Sequence, residues 1–290
     1  MKYCVCVSGK LGFIVLNHLL QNKIEIVVVM TDSHSTEIIE ECERMQLACF
    51  VGNPRQSRAN RWLADNQIKF NHLLSINYLF LLEEDVLNNL AGYAINFHGS
   101  LLPKYRGRTP HVWAIINGEK QSGITAHLMN AKCDDGNIVK QIFVPIDDED
   151  TGASLLQKYN EKYPLLVDEV INDLEKGSLI AFKQNSQEAT YYSKRVPEDG
   201  RINWDWQKER IRNWVRAQAY PYPGAFAFFN GIKITINKVE YNPSGYTDTM
   251  TNGTVIAVIK EGPVVKVQNG AILLKEMVPD IEFRINDILR

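Results

Sequence analysis

An amide, an imidazole and a carboxylate in this chain have the chemistry of an acyl-transfer site. Asn96 and His98 stand two residues apart, so on an extended backbone their side chains point to the same side. An amide can stabilise a developing oxyanion, and an imidazole can accept or deliver a proton. Farther along, Asp134 and Asp135 each offer a carboxylate that could orient the imidazole. We therefore predict an acyl-transfer site that has no covalent nucleophile.

The amide and the imidazole lie where a strand gives way to a loop. The apolar run from Gly92 to Ile95 is typical of the end of a buried strand. The residues after His98 include a proline and two glycines and cannot continue a helix or a strand, so they predict an ordered loop at 99–108.

Strand and helix patterns alternate through the first hundred residues. Runs rich in Val, Ile and Leu predict strands at Tyr3–Ser8, Glu25–Thr31, Ala48–Val51, His72–Ile76 and Ala94–Phe97. Helical patterns lie between them at Leu11–Gln21, Thr36–Met45, Arg58–Asn66 and Glu83–Leu90. This alternation predicts an α/β fold with a Rossmann-like, mostly parallel sheet and helices on both faces. Such sheets bind ligands beyond the carboxyl ends of their strands, where Ser75 and His98 are expected.

The second half of the chain predicts two more strands, a long helix and a smaller β domain. The strands are expected at Gly123–Leu128 and Ile138–Val144, and the helix at Thr151–Lys176, where apolar residues follow helical spacing. The polar segment Asn185–Arg201 is interpreted as a linker, so we expect a catalytic domain at 1–190 and a small domain at 200–290. A short helix and a small open barrel are expected in the latter, at Gln207–Ala219, Ala225–Phe229, Ile232–Val239, Thr254–Ile259, Val264–Val267 and Ala271–Met277.

The loop motif resembles a known family. The block Asn-x-His-x-Ser-Leu-Leu-Pro at 96–103, with the later aspartate, is similar to the signature of folate-dependent formyltransferases. The wider match at 98–108 is closest to the branch that modifies nucleotide-linked sugars. Similarity to the family continues in Pro197–Trp204 and Pro221–Ala225, so it spans most of the chain.

The resemblance implies a reaction and its partners. A formyl group would pass from 10-formyltetrahydrofolate to the amine of a nucleotide-linked deoxyamino sugar, with dTDP-4-amino-4,6-dideoxy-D-glucose as the expected substrate. The product would serve O-antigen or other surface polysaccharide synthesis, and the family suggests an OB-like small domain and a homodimer. The family pattern Asp-x-Gly selects Asp134 over Asp135 for the orienting role. The alternatives are a methionyl-tRNA formyltransferase and a catalytically inactive relative, and the intact Asn-His-Asp set argues against the latter.

Two groups of binding residues are expected beside the catalytic ones. By resemblance, the folate would contact Phe80, Leu81, Leu82, Arg108, Asn130, Ala131, Lys132, Cys133 and Asp134. Substrate contacts are expected from polar or aromatic groups near the strand ends and the linker, at Lys10, Ser75, Ile76, Asn77, Lys104 and Tyr222. Each of these has a structural alternative, such as a tight turn at Lys10, a solvated basic face at Lys104 and core packing at Tyr222. Gly9-Lys10-Leu11-Gly12 lacks the spacing of a dinucleotide-binding loop, so we expect no NAD site.

Composition and charge exclude several other classes of protein. Charged residues make up 23% of the chain and apolar residues 45%, an ordinary balance for a soluble protein. The net charge of −2 offers no bulk attraction to nucleic acid or to an anionic membrane. The first apolar run is too short for a signal peptide or a membrane span, and the five cysteines are scattered, so we expect a cytoplasmic protein with reduced thiols. The histidines lack metal-ligand spacing, so we expect no metal.

Overall fold

The structure is a computed structural model that describes residues 1–87 and 90–290. Contacts within the chain divide it into two compact units that interleave along the sequence. The first unit comprises Met1–Gly107, Gly123–Val144 and Lys158–Tyr191, and the second comprises Arg108–Ser122, Pro145–Gln157 and Tyr192–Arg290. The simpler division into domains at 1–190 and 200–290 stays a prediction.

Most strands of the first unit belong to one mixed sheet. The strands up to residue 192 are β1 (Tyr3–Val7), β2 (Ile26–Thr31), β3 (Ala48–Val51), β4 (His72–Ile76), β5 (Ala94–His98), β6 (Arg106–Gly107), β7 (Gln121–Leu128), β8 (Ile138–Pro145) and β9 (Tyr191–Tyr192). The sheet has the order β3-β2-β1-β4-β5-β7-β8, while β6 and β9 form a separate two-stranded sheet. The pairs among β1 to β5 are parallel, and β5 pairs antiparallel with β7. The predicted mostly parallel α/β fold is confirmed.

The strands are continuous apolar runs because both faces of the sheet are covered. β1 and β4 are buried at every residue, as in parallel sheets with helices on both sides. The helices up to residue 175 are α1 (Gly9–Gln21), α2 (Thr36–Arg44), α3 (Arg58–Asp65), α4 (Glu84–Leu87), α5 (Pro110–Ile116) and α6 (Gly152–Glu175). The expected helix at Glu83–Leu90 thus corresponds to the short α4, and its residues 88 and 89 lie outside the described residues.

One helix was not predicted from the sequence. α5 begins at Pro110, and a proline at the first helical position is a recognised start signal because its missing N–H would be unpaired there anyway. This start signal lies two residues after Arg108, the last residue of the loop motif.

The order of strands predicts a crevice for a ligand at the carboxyl ends of β1 and β4. β1 lies between β2 and β4. The chain therefore adds β2 and β3 on one side of β1 and then crosses over to add β4 and β5 on the other side. Ligands of open α/β sheets bind at such switch points. Just beyond the two strands, Asn77 Nδ2 donates a hydrogen bond to the carbonyl oxygen of Ser8 at 2.9 Å.

The second unit contains a small antiparallel sheet. Its remaining elements are α7 (Lys208–Ala217), β10 (Ala225–Phe229), β11 (Ile232–Asn242), β12 (Val255–Ile259), β13 (Gly262–Val267) and β14 (Gly270–Val278), with the sheet order β10-β11-β14-β13-β12. Both edge strands have a further backbone partner, since Arg290 exchanges hydrogen bonds with Phe228 and Asp287 accepts one from Val255. The predicted smaller β domain is confirmed.

In the described parts of the chain, no helix combines the length and the apolar character needed to span a bilayer.

Candidate active site

β5 carries two of the predicted catalytic residues to the centre of the sheet. In the parallel pair with β4, Asn96 lies beside Ser75, and in the antiparallel pair with β7 it lies beside His127. His98 ends β5 opposite Thr125. Since side chains two residues apart in a strand share a face, the backbone alone brings Asn96 and His98 to one side.

His98 is a buried residue whose two ring nitrogens both face protein atoms. Its Nε2 donates to the carbonyl oxygen of Tyr105 at 2.8 Å, and because a carbonyl can only accept, Nε2 carries a proton. Its Nδ1 lies 3.6 Å from Asp134 Oδ1, which is an ion-pair distance and longer than a hydrogen bond. The imidazole is thus placed between a backbone acceptor and a carboxylate.

A second histidine, His127, also belongs to the cluster and was not among the predicted site residues. His127 Nε2 lies 3.1 Å from Asn96 Nδ2 and 3.6 Å from Asp134 Oδ1. Its Nδ1 lies 2.9 Å from the carbonyl oxygen of Leu128. Asn96 is therefore connected to Asp134 through His127, and the structure brings Asn96, His98 and Asp134 into one buried group. The signal that could have identified His127 is the strand register, which sets it opposite Asn96.

Burial and charge act in opposite directions on the ionisable groups of this cluster. Burial lowers the pKa of His98, and Asp134 only partly offsets this effect, so the pKa lies below its ordinary value. The carboxylate alone would raise this pKa, but burial outweighs it. For Asp134, burial opposes ionisation, yet His98, His127 and the N–H of Gly107 together hold the pKa of its carboxyl far below the usual range.

The turn that carries Asp134 has a demanding backbone geometry. Asp134 adopts a φ of 54°, a left-handed conformation that L-residues rarely take. Its Oδ2 accepts a hydrogen bond from the N–H of Gly107 at 2.9 Å. Two residues later, a Cβ on Gly136 would lie 1.7 Å from the carbonyl oxygen of Leu128, so only glycine fits at this close approach of two backbones.

Gly136→Ala is expected to disrupt this turn. The backbone of Leu128 cannot yield without breaking the end of β7, so we expect thermal unfolding at a temperature lower by about 5–10 °C, together with loss of activity. Differential scanning calorimetry measures the first effect. Gly245→Ala is the matched control, since a Cβ there would meet nothing within 4 Å. Equal unfolding temperatures for the two variants would contradict the prediction.

Asp135 has a partner that the sequence analysis did not foresee. In the sequence, Asp135 is the alternative carboxylate to Asp134, and Arg106 lies in the predicted loop at 99–108. In the structure, Arg106 is only 1% exposed, and its Nη1 lies 2.6 Å from Asp135 Oδ1. Arg106 is therefore an internal residue of the site region, whereas Lys104 is exposed.

The residues expected to contact folate through resemblance fall into three places. Asn130 and Ala131 line a cavity of about 340 Å³, whose wall also includes Leu87, Leu90 and Met129. Lys132 and Cys133 continue the same segment toward Asp134, with the N–H of Lys132 donating to Asn130 Oδ1. The preceding segment is mixed: Leu82 packs against the core, Phe80 contacts the ring of Tyr78, and Leu81 is 58% exposed. Arg108 belongs to the second unit.

The residues expected to contact the substrate are also spread over several places. Ser75 and Ile76 are buried in β4, and Asn77 lies at the crevice between β4 and β1. Lys10 is exposed and forms an ion pair with Glu37 at 3.1 Å, while the neighbouring N–H of Gly9 donates to Ser35 Oγ. Tyr222, in the second unit, has its hydroxyl 2.9 Å from His111 Nε2. The binding roles of these residues stay predictions.

Residues 1–87 and 90–290 contain no group of three His, Cys, Asp or Glu side chains that could hold a metal ion. The five cysteines are all free thiols.

Comparison with protein families identifies the class of enzyme. A family model described as Formyl transferase matches residues 1–171, and one described as Formyl transferase, C-terminal domain, matches residues 194–285. The first match alone covers more than half of the 290 residues. The chain belongs to the formyl transferase family.

One curated relative shows a substantial sequence similarity. The bifunctional polymyxin resistance protein ArnA of Wigglesworthia glossinidia brevipalpis is 31% identical over 273 residues, which cover 88% of this chain and 40% of the relative. The chain thus spans about two-fifths of the length of that protein.

Solved structures share the fold along most of the chain. An N-formyltransferase from Helicobacter canadensis, in complex with folinic acid and dTDP-3-aminofucose, has a TM-score of 0.74 and 19% identity over 95% of this chain and 99% of its own. A 4-N formyltransferase from Francisella tularensis has a TM-score of 0.67 and 22% identity over 80% and 94%. The methionyl-tRNA formyltransferase from Clostridium thermocellum has a TM-score of 0.60 and 16% identity over 93% and 100%. At these identities the likeness establishes the fold.

Proposed function

We propose that this formyltransferase moves a formyl group from 10-formyltetrahydrofolate to the primary amine of a nucleotide-linked deoxyamino sugar. The observation that supports it best is the buried group of Asn96, His127, Asp134 and His98 at the end of β5. An amide donor, an imidazole and an orienting carboxylate are what acyl transfer to an amine requires, with no covalent nucleophile. Membership of the formyl transferase family supplies the acyl group.

Each residue of the cluster has a defined task in this proposal. Folate supplies a formyl group that is activated for transfer. The sugar amine forms a bond to the formyl carbon, and Asn96 Nδ2 donates to the oxyanion that develops on the formyl oxygen. His98 takes a proton from the amine. As the bond between the formyl carbon and the folate nitrogen breaks, His98 gives the proton to that nitrogen, so no net proton is gained or lost. Asp134 stabilises the imidazolium while His98 holds that proton.

The base role requires one contact of His98 to change. With Nε2 protonated toward Tyr105 and Nδ1 facing Asp134, no ring nitrogen is available to the amine. Substrate binding therefore has to displace the Tyr105 carbonyl, after which Nδ1 carries the proton toward Asp134 and Nε2 is the acceptor. The lowered pKa of His98 keeps the imidazole neutral near pH 7, as a base must be.

The cavity beside Asn130 has a lining suited to a pterin ring. Its lining combines the apolar residues Leu87, Leu90 and Met129 with the polar residues Glu84 and Asn130. Flat heterocycles with polar edges bind in such pockets, where apolar walls cover the faces and backbone groups meet the edges. We place the folate pterin there, and the sugar nucleotide toward the crevice between β1 and β4.

A short, closed connection after β2 argues against tRNA as the substrate. Only residues 32–35 separate β2 from α2, and Asp32 closes this turn by accepting hydrogen bonds from the N–H of His34 and the hydroxyl of Ser35. The segment from Thr31 to Glu43 is acidic, so it would repel the phosphates of an acceptor stem. The proposed amine acceptor is therefore a small molecule, with dTDP-4-amino-4,6-dideoxy-D-glucose as the specific candidate.

We predict turnover with a dTDP-linked amino sugar and no measurable formylation of initiator methionyl-tRNA at physiological salt. Mass spectrometry would detect the product as the substrate with one added CO. Parallel reactions with UDP- and GDP-linked amino sugars, and with 3-amino and 4-amino isomers, would define the nucleotide and the position of the amine. Efficient formylation of the tRNA that weakens steeply with added salt would instead favour the methionyl-tRNA enzyme.

Three further properties belong to the same proposal. The enzyme would act in the cytoplasm, provide the formylated sugar for O-antigen or other surface polysaccharide synthesis, and work as a homodimer. Analytical ultracentrifugation tests the dimer directly, and loss of formylated sugar from surface polysaccharide after gene deletion tests the role in synthesis.

A further inference from the structure

Three consecutive loop residues each touch a different part of the candidate active site. The Tyr105 carbonyl accepts from His98, the Arg106 side chain reaches Asp135, and the N–H of Gly107 donates to Asp134. The loop after β5 and the turn at 134–136 are therefore joined at several points. Arg106 is the member of this segment whose side chain has no assigned task.

The guanidinium of Arg106 is fully surrounded by polar partners. Its Nε and Nη2 donate to Gln184 Oε1 at 3.2 and 2.6 Å, and its Nη1 donates to the hydroxyl of Tyr191 at 2.5 Å. The same Nη1 lies 2.6 Å from Asp135 Oδ1. A planar fork with several donors can serve these separate directions at once, which a lysine ammonium cannot.

Gln184 transmits this arrangement to the turn that carries Asp134. Its Nε2 donates to the carbonyl oxygen of Asp134 at 2.9 Å and to that of Gly136 at 2.7 Å. Arg106 fixes the orientation of the amide by occupying its oxygen, so the amide nitrogen must point at the turn. Gln184 and Asp135 thus connect the buried guanidinium to the backbone on both sides of residue 135.

We infer that Arg106, Gln184 and Asp135 are positioning residues that hold the 134–136 turn so that the Asp134 carboxylate faces His98. None of the three approaches the imidazole as a reacting group. They act through the backbone of Asp134, whose left-handed conformation requires external support. The inference rests on the proposed function for its catalytic meaning.

The charged groups around His98 determine the direction in which its pKa would shift if this inference is correct. Three charged or titratable groups act on the pKa of His98. Asp134 raises it, whereas His127 and Arg106 lower it. If the turn is released, the carboxylate moves away and the pKa of His98 falls further. Removing the charge of Arg106 without moving the turn would have the opposite effect, because that charge lowers the pKa of His98.

The test is a titration of the His98 imidazole by NMR, with assignment from a His98→Asn variant. Gln184→Met is uncharged and close in volume, and it removes only the amide. Arg106→Lys keeps the positive charge and removes the fork. We expect the pKa of His98 to fall by about one pH unit in both variants. We also expect kcat to fall by about tenfold or more with KM for the amino sugar nearly unchanged, as for loss of an interaction made in the transition state.

Tyr191→Phe is the matched control. The Tyr191 hydroxyl accepts a hydrogen bond from Arg106, whereas the links from Arg106 to the turn run through Gln184 and Asp135, so we expect the titration of His98 to be unchanged. The inference is overturned if Gln184→Met titrates like the wild type, or if Tyr191→Phe shifts the titration as much as Gln184→Met does. If Gln184→Met fails to fold, the charge-preserving Arg106→Lys decides on the same measurement. A wild-type chain that formylates no nucleotide-linked amine would refute the proposed function, while the titration would still decide the positioning role.

Discussion

Replacing His98 with alanine is expected to reduce formyl transfer by about 10²–10⁴-fold, the usual contribution of a positioned acid–base group. His98 is the group to which the proposal assigns the transfer of the proton from the amine to the departing nitrogen. The substitution also removes one of the partners of the buried Asp134 carboxylate, so the unfolding temperature has to be measured together with kcat. His18→Ala is a matched control, since His18 belongs to the same unit and pairs with Asp168 on its surface.

Asn96→Ala is expected to lower kcat by about 10²–10³-fold, as for loss of one oxyanion donor. Asn96→Asp removes the donor with little change of shape and should be as damaging. Activity near that of the wild type in a folded His98→Ala or Asn96→Ala sample would remove these residues from the mechanism.

Asp134→Asn is expected to have a larger effect than Asp135→Asn. An amide at 134 cannot stabilise the imidazolium of His98, and we expect kcat to fall by about 10²–10⁴-fold. Asp135→Asn keeps the shape of the turn and loses only the charge that meets Arg106, so its effect should be smaller. Greater damage from Asp135→Asn would mean that the orienting role had been given to the wrong aspartate.

The pH dependence of kcat/KM, which reports the ionisable groups of the free enzyme, tests the same assignment. Because burial lowers the pKa of His98, the acidic limb of the wild-type profile should lie below the ordinary value of 6.5. Asp134→Asn removes the carboxylate charge that raises this pKa, so the limb should move to still lower pH. A limb that stays in place, or moves upward, would contradict the proposed contact between Asp134 and His98.

Local patterns in the sequence were sufficient for the sheet and for the catalytic loop. The strands at Ala48–Val51 and His72–Ile76 begin and end where they were predicted. His72–Ile76 is buried at every residue, and burial on both faces favours a largely continuous apolar run. Asn96 and His98 could be recognised because they are close in sequence and stand before a loop with a distinctive composition. Their placement on one face follows from the period of a strand alone.

The residues that support the cluster depend on contacts between distant parts of the chain. His127 is 31 residues from Asn96, and Gln184 is 50 residues from Asp134. No local periodicity indicates that a glutamine directly before the polar segment interpreted as a linker will be buried against the turn that carries Asp134. The internal position of Arg106 was missed for the same reason, since arginine in a loop is usually solvated and its partners lie far away along the chain.

The late position of Gln184 in the sequence affects how the enzyme is made. The ribosome completes β5 at His98 and β7 at Leu128 before it adds Asp134. The Gln184 amide, which holds the Asp134 turn, follows only after β8 and α6. A chain that stopped at residue 171, where the first family match ends, would have all three predicted catalytic side chains and lack that support. From the proposed positioning role of Gln184, we expect a prematurely released chain of this length to carry the reacting groups without their working geometry.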